Sequence, residues 1–167
     1  GVDTLVVIDD SIVRGTTLEK SILTTLDKLN PKRIVIVSSA PQIRFPDCYG
    51  IDMSRMKEFI AFRAALALLK ERKMENILDE TYEACIANPS SLENYVKKVY
   101  ENFTDQEISD KIAEIVTSPE IKAEVRVIYQ TVESLHQCIP DHVGDWYFTG
   151  DYPTSGGTRV VNRSFAN

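Results

Sequence analysis

LVVIDDSIVRGTT, Leu5 to Thr17, is the stretch on which the reading of the fold turns. Its first four residues, Leu5 to Ile8, are apolar without alternation, the pattern of a strand covered on both faces by helices. Two carboxylates, Asp9 and Asp10, stand where that strand should end. A short loop follows, Ser11 to Gly15, and then a helix opening on Thr16 and Thr17, whose hydroxyls lie beside the first free backbone N–H groups. Strand, acids, short loop and helix start, in that order, describe a cradle for an anion.

The chemistry of each part narrows the ligand. Unpaired N–H donors and the positive end of the helix dipole favour a phosphate at the helix start. Gly15 permits positive φ or close approach of the backbone to a ligand, and Ser11, Thr16 and Thr17 add hydroxyls. Carboxylate and phosphate repel, so Asp9 and Asp10 must face something else. The vicinal hydroxyls of a sugar satisfy this, and so does a hydrated Mg²⁺, which takes oxygen ligands. The implied ligand is a sugar phosphate carrying a diol.

Downstream, Leu18, Ile22, Leu26 and Leu29 fall at helical spacing, which predicts an amphipathic helix from Thr17 to Leu29, stopped by Asn30 and Pro31. Arg33 to Ser38, RIVIVS, reads as the next buried strand, giving a βαβ unit whose crossover should be right-handed. The loop then lies at the C-terminal edge of a strand, where open α/β sheets bind ligands. Ala40 to Asp52 reads as a loop, and Met53 to Lys70 as a helix with Met56, Phe59, Ile60, Arg63 and Ala64 near one face. Beyond it the spacing predicts helices at Glu75 to Ala87, Ser90 to Phe103, Thr104 to Val116 and Ser118 to Gln137. Ser90 with Glu93 and Thr104 with Glu107 match the capping box, and Pro119 suits a first helical position. The longest of these helices would carry Ile121, Val125, Ile128, Val132 and Leu135 on one stripe. The aromatic, glycine-rich end, Asp145 to Gly157, reads as non-helical. The expected class is α/β, a partial Rossmann-like parallel βαβ unit over residues 1–65, a mostly helical region over 66–140 and an irregular tail over 141–167.

Composition sets the frame. With 167 residues, 43% of them apolar and 26% charged, the chain has ordinary globular make-up. A net charge of −6 and a pI near 5.0 exclude an electrostatic footprint for nucleic acid or an anionic membrane surface. No apolar run approaches the length of a membrane span, and a cytoplasmic location is expected. Cys48, Cys85 and Cys138, an odd number without a CxxC pair, fit reduced thiols. His136 and His142 flank Pro140 with no acidic or Cys partner at metal-ligand spacing, so neither is read as a metal ligand or a base.

The stretch VVIDDSIVRGTT resembles the phosphoribosyl pyrophosphate (PRPP) binding motif of type I phosphoribosyltransferases. SSAPQIRFPDCYGIDM, Ser38 to Met53, and FTGDYPTSGGTRVVNRSF, Phe148 to Phe165, resemble two further blocks of the amidophosphoribosyltransferase family. That family's enzymes convert PRPP, glutamine and water to 5-phosphoribosylamine, glutamate and pyrophosphate, opening de novo purine synthesis. The resemblance implies that Asp9 and Asp10 meet the ribose hydroxyls and Mg²⁺, while Ser11, Val13, Arg14, Gly15, Thr16 and Thr17 surround the 5-phosphate. Arg14 either screens that phosphate or points to solvent. Many relatives carry a third acid where Val13 stands, serving a nucleobase; an apolar residue there is expected if the acceptor is glutamine-derived ammonia.

The resemblance carries further expectations. The family's glutaminase domain and first transferase strands lie upstream of the motif, so the chain is expected to be the C-terminal part of a longer enzyme, inactive alone and with no catalytic residue assigned. Some members hold a four-iron cluster partly through a CxxC pair just before the FTGxYPT block. This chain reads HVGDWYFTG there, His142 to Gly150, so no iron–sulfur cluster is expected. AMP or GMP feedback and a homotetramer are implied for the full-length parent. Arg44 and Tyr49 either border the active or the nucleotide regulatory site or are a surface Arg and a packed Tyr. Another type I phosphoribosyltransferase, or a PRPP-binding regulator, remains an alternative.

Overall fold

In the computed structural model, which describes residues 1–47 and 53–167, the apolar run of the motif is the first strand of a parallel sheet. Strands β1 (Thr4–Asp9), β2 (Arg33–Ser38) and β3 (Glu124–Tyr129) lie in the order β1-β2-β3. The register places Leu5, Ile34 and Val125 in one cross-strand row, Val7, Ile36 and Val127 in the next, and Asp9, Ser38 and Tyr129 in the last. These rows share one face because side chains alternate along a strand. Ile34 and Ile36 are completely buried on it and Val127 nearly so. Cys48, Tyr49 and most of the YGIDM segment lie outside the described residues.

The opposite face corrects the expectation of a strand covered on both sides. Among the described residues it is open, with Val6 61%, Ile8 73% and Ile128 50% exposed. Charges line one end of it. Arg33 donates from Nε and Nη2 to Glu124 across the β2–β3 pair at 2.9 and 2.8 Å, and Arg126 Nε donates to the same carboxylate at 2.7 Å. Both arginines hold the Glu124 carboxyl below its ordinary range. An uninterrupted apolar run is compatible with two covered faces, yet burial depends on elements elsewhere in the chain.

The crossover from β1 to β2 is helical over residues 16–27, and it opens with a wide π turn, Leu18–Ile22, before α1 (Leu23–Asp27). The Leu23 N–H donates to the Leu18 carbonyl, five residues back. That extra residue moves the buried stripe from a four-residue to a five-residue step, so Leu18 and Leu23 are buried while Leu29 is 70% exposed. Asn30, at φ 54°, ends the segment before Pro31.

Much of the remaining core comes from the next three α-helices. Helix α2 (Ile60–Glu71) buries Ile60, Ala61, Phe62, Ala64, Ala65, Leu68 and Leu69. It begins later than Met53, because a 3₁₀ turn at Met56–Glu58 and an extended Phe59 precede it. Arg63, expected near the packed face, is exposed. Helix α3 (Asn76–Ala87) follows the expected span. Helix α4 (Asp105–Val116) starts on the capping box expected of Thr104 and Glu107, with Thr104 Oγ1 accepting from the Glu107 N–H at 3.2 Å and Glu107 accepting from the Thr104 N–H at 2.8 Å. It buries Ile108, Ile112 and Val116 against α2 and β3.

Three other expectations are corrected. Ser90 to Phe103 holds a 3₁₀ helix, Tyr95–Val99, capped by Asn94 rather than by Ser90. Ser118 to Gln137 is a turn, then β3, then a short α5 (Val132–Cys138) capped by Thr131. Glu124 to Tyr129 is rich in β-branched residues and lies along the free edge of β2, which outweighs a four-residue apolar spacing that a strand can also supply. The tail is not irregular either: α6 (Trp146–Thr149) ends on Gly150, and α7 (Ser155–Ala166) starts on Thr154, whose hydroxyl accepts from the Gly157 N–H at 3.2 Å. Gly157 sits in the first turn because the Tyr152 ring occupies the place of a Cβ, 2.4 Å away.

A one-faced sheet makes a direct prediction. Ile36→Ala should cost about 2–5 kcal/mol in urea unfolding, whereas Val6→Ala should change stability by less than about 0.5 kcal/mol.

Candidate functional site

Asp9, Ser11, Val13, Arg14, Gly15, Thr16 and Thr17 line one cleft of about 660 Å³ together with Ile12, Leu18 and Met53. Asp10 stands beside it, exposed, its Oδ1 accepting from the Ser11 N–H at 2.9 Å. The acids are held by the end of β2: Ser39 N–H and Oγ donate to the Asp9 carbonyl at 2.9 and 3.1 Å, and Ala40 N–H donates to the Asp10 carbonyl at 3.1 Å. The strand pairing thus continues one residue past the sheet and sets the backbone from which both carboxylates project.

The loop is anchored from beneath. Ile12 is buried at 4% exposure. The Val13 carbonyl accepts from the Ile60 N–H, a donor of the first turn of α2, at 2.8 Å. Gly15 has φ +71°, and a Cβ there would lie 3.2 Å from both Ile60 Cγ1 and Val116 Cγ1. The glycine therefore serves the turn and its packing against α2 and α4 at once. Thr16 and Thr17 are exposed, and the first helical bond runs from the Glu19 N–H to the Gly15 carbonyl at 3.0 Å. The N–H groups of Thr16, Thr17 and Leu18 precede it, as at any helix start.

Arg14 neither stands over the loop alone nor simply faces water. Its Nε lies 2.9 Å from Glu58, whose other oxygen lies 3.3 Å from Arg55 Nη1. Sequence reasoning misses Glu58 because it lies on the 3₁₀ turn before α2, far along the chain from the motif. Met53 is missed for the same reason.

Electrostatics mark the acidic pair. The Asp9 carboxyl is raised above its ordinary value, first by burial and then by the adjoining Asp10 carboxyl, through a hydrogen bond between the two side chains and through charge repulsion. A second polar group lies on the same row: Tyr129, whose hydroxyl is sealed from solvent with no hydrogen-bond partner among the described residues. Among the described residues no group of three or more His, Cys, Asp or Glu side chains could hold a metal ion. Asp9 and Asp10 form a two-carboxylate set, which fits an ion that keeps waters and takes its other oxygens from a substrate.

Other singled-out residues are placed elsewhere. Arg44 is mostly buried, donating to Gln42 Oε1 at 2.7 Å, pairing with Asp105 and lying 5.3 Å from the Tyr100 ring centre. It ties the loop after β2 to the start of α4. His136 Nε2 is 2.6 Å from Asp145 Oδ2, and His142 Nε2 is 3.1 Å from Asp145 Oδ1. Asp145 thus lies close to both histidines, hydrogen-bonding to His136. Cys85 is buried and Cys138 exposed, both as free thiols.

Two outcomes follow from this geometry. Gly15→Ala, with its strained φ and two close contacts, should lose about 1–3 kcal/mol in chemical denaturation. Asp9 has a folded-state pKa above its ordinary value of 3.8. Such a group contributes stability that is present below the ordinary value and lost as pH rises through the raised one. Asp9→Asn should therefore unfold at the same or a higher temperature than the parent at neutral pH, and scanning calorimetry from pH 3 to 7 should show any advantage fading at the acid end.

No family model matches the chain, and no solved structure matches it significantly. Curated proteins do match. The amidophosphoribosyltransferase of Escherichia coli K12 is 47% identical over 57 residues, 34% of this chain and 11% of its own length. That of Saccharomyces cerevisiae is 30% identical over 136 residues, 74% of this chain and 26% of its own length. That of Schizosaccharomyces pombe is 31% identical over 86 residues, 48% of this chain and 16% of its own. The matches thus cover between 11% and 26% of these relatives' lengths. The α/β sheet, the acid-terminated strand and these matches agree, and by sequence the chain is a relative of the amidophosphoribosyltransferases.

Proposed function

We propose that the cleft between Asp9 and Leu18 binds PRPP and that the full-length protein is a glutamine-dependent transferase forming 5-phosphoribosylamine, the first step of de novo purine synthesis. The observation that carries this reading is the convergence of Asp9, the loop and the helix start on one cleft, with Asp10 beside it. In this reading the amides and hydroxyls of Thr16 and Thr17, with Ser11, hold the 5-phosphate. Asp9 and Asp10 take the ribose hydroxyls and Mg²⁺, which when bound would offset the charge of the departing pyrophosphate.

The chain's own residues do the holding. Positive charge grows at C1 as the bond to pyrophosphate breaks, so a sugar fixed at both ends and nearby carboxylates matter more than a general base. Gly15, pressed on Ile60 and Val116, keeps the phosphate end from drifting. Val13 leaves an apolar wall where no nucleobase needs to be recognised, consistent with ammonia from glutamine as the nucleophile. The glutaminase activity, feedback by AMP or GMP, tetramer assembly and cytoplasmic location belong to the same proposal for the full-length protein.

Calorimetric titration of the full-length protein with PRPP in the presence of Mg²⁺ tests this. Saturable heat is expected, with Asp10→Asn binding at least about tenfold more weakly. Absence of heat, or an Asp10→Asn variant that binds as tightly as the parent, overturns the assignment.

A further inference from the structure

Tyr129 closes β3 and stands in the row that runs from Asp9 through Ser38. Its hydroxyl is sealed from solvent and has no hydrogen-bond partner among the described residues. Buried hydroxyls are bonded in the large majority of cases, so an orphan of this kind calls for a partner supplied by another state of the site. Ser38, between the two, directs its own hydroxyl proton to the Ala40 carbonyl at 2.9 Å. The Ser38 oxygen can still accept but makes no bond to the phenol, and Asp9 is the charged acceptor of the row. A phenol keeps its proton at neutral pH, so this hydroxyl is available as a donor.

Resting on the PRPP reading of the cleft, we propose that Tyr129 is a positioning residue, its hydroxyl donating to the Asp9 carboxylate once the ligand is bound and fixing that carboxylate toward the sugar. The strand register places the tyrosine there, from a segment more than a hundred residues beyond the motif. A hydroxyl that makes no bond in the unliganded protein should contribute nothing to its stability.

The test is Tyr129→Phe, which deletes one oxygen and keeps the ring. Thermal unfolding of the unliganded full-length variant should match or exceed the parent, while its dissociation constant for PRPP with Mg²⁺, read by calorimetry, should rise about tenfold or more. Combined with Asp9→Asn, the tyrosine change should add little further loss, since both act through one carboxylate. Parent heat with an unchanged Tyr129→Phe affinity overturns this proposal and leaves the PRPP reading standing. A lower unfolding temperature with a loss fully additive to that of Asp9→Asn also overturns it, since that is the mark of packing. No heat from the parent removes both.

Discussion

Parallel registration of β1 on β2 and of β2 on β3 is the constraint from which the cleft end of the molecule follows. Two rows of apolar side chains lock it, with Ile34 and Ile36 at the centre and no exposure to water. A slip of one residue would carry those isoleucines to the open face and turn Asp9 away from the cleft with them. The bonds from Ser39 and Ala40 to the carbonyls of Asp9 and Asp10 extend the same registration past the last pleat. Core packing and site geometry are therefore one problem in this fold.

The cleft keeps opposite electrostatic demands side by side. Two carboxylates crowd one another at the end of a half-buried strand, at a cost that appears in the raised Asp9 carboxyl. The helix start nearby presents N–H donors that call for negative charge. Arg14 is bound to Glu58, so the loop's cation is neutralised within the protein. A ligand with a phosphate at one end and hydroxyls or a cation at the other meets both demands at once. Local destabilisation of this sort is common where a site is shaped for something else to bind.

What can be read from the chain alone follows the range of each signal. Asp9 to Thr17 is legible because acids, glycine and hydroxyls act through adjacent backbone, and the Thr104–Glu107 box is legible for the same reason. Strand β3 is not, because Val125, Val127 and Tyr129 satisfy a period of two while Ile121, Val125, Ile128 and Val132 also satisfy a helical one. Only the free edge of β2 decides between them, and that edge is a tertiary fact. Tyr129 is hidden by the same ambiguity. Helix α7 is hidden by Gly156 and Gly157, which read as breakers until the Tyr152 ring is seen against the latter. Glu58, paired with Arg14 from the far side of β2 in the chain, shows that an ion pair across a long separation leaves no trace in spacing.

Helix α7 reaches back across the molecule. The Ser164 hydroxyl donates to the Ser54 carbonyl at 3.0 Å and accepts from the Met56 N–H at 3.4 Å, and Met53, just before them, forms part of the cleft wall. Asn162 grips the other side, donating to the Glu93 carbonyl and accepting from the Tyr95 N–H. Helix α7 is thus a buttress for a wall laid down about a hundred residues earlier in the chain. Any change that displaces α7 is therefore a change to the Met53 side of the cleft as well.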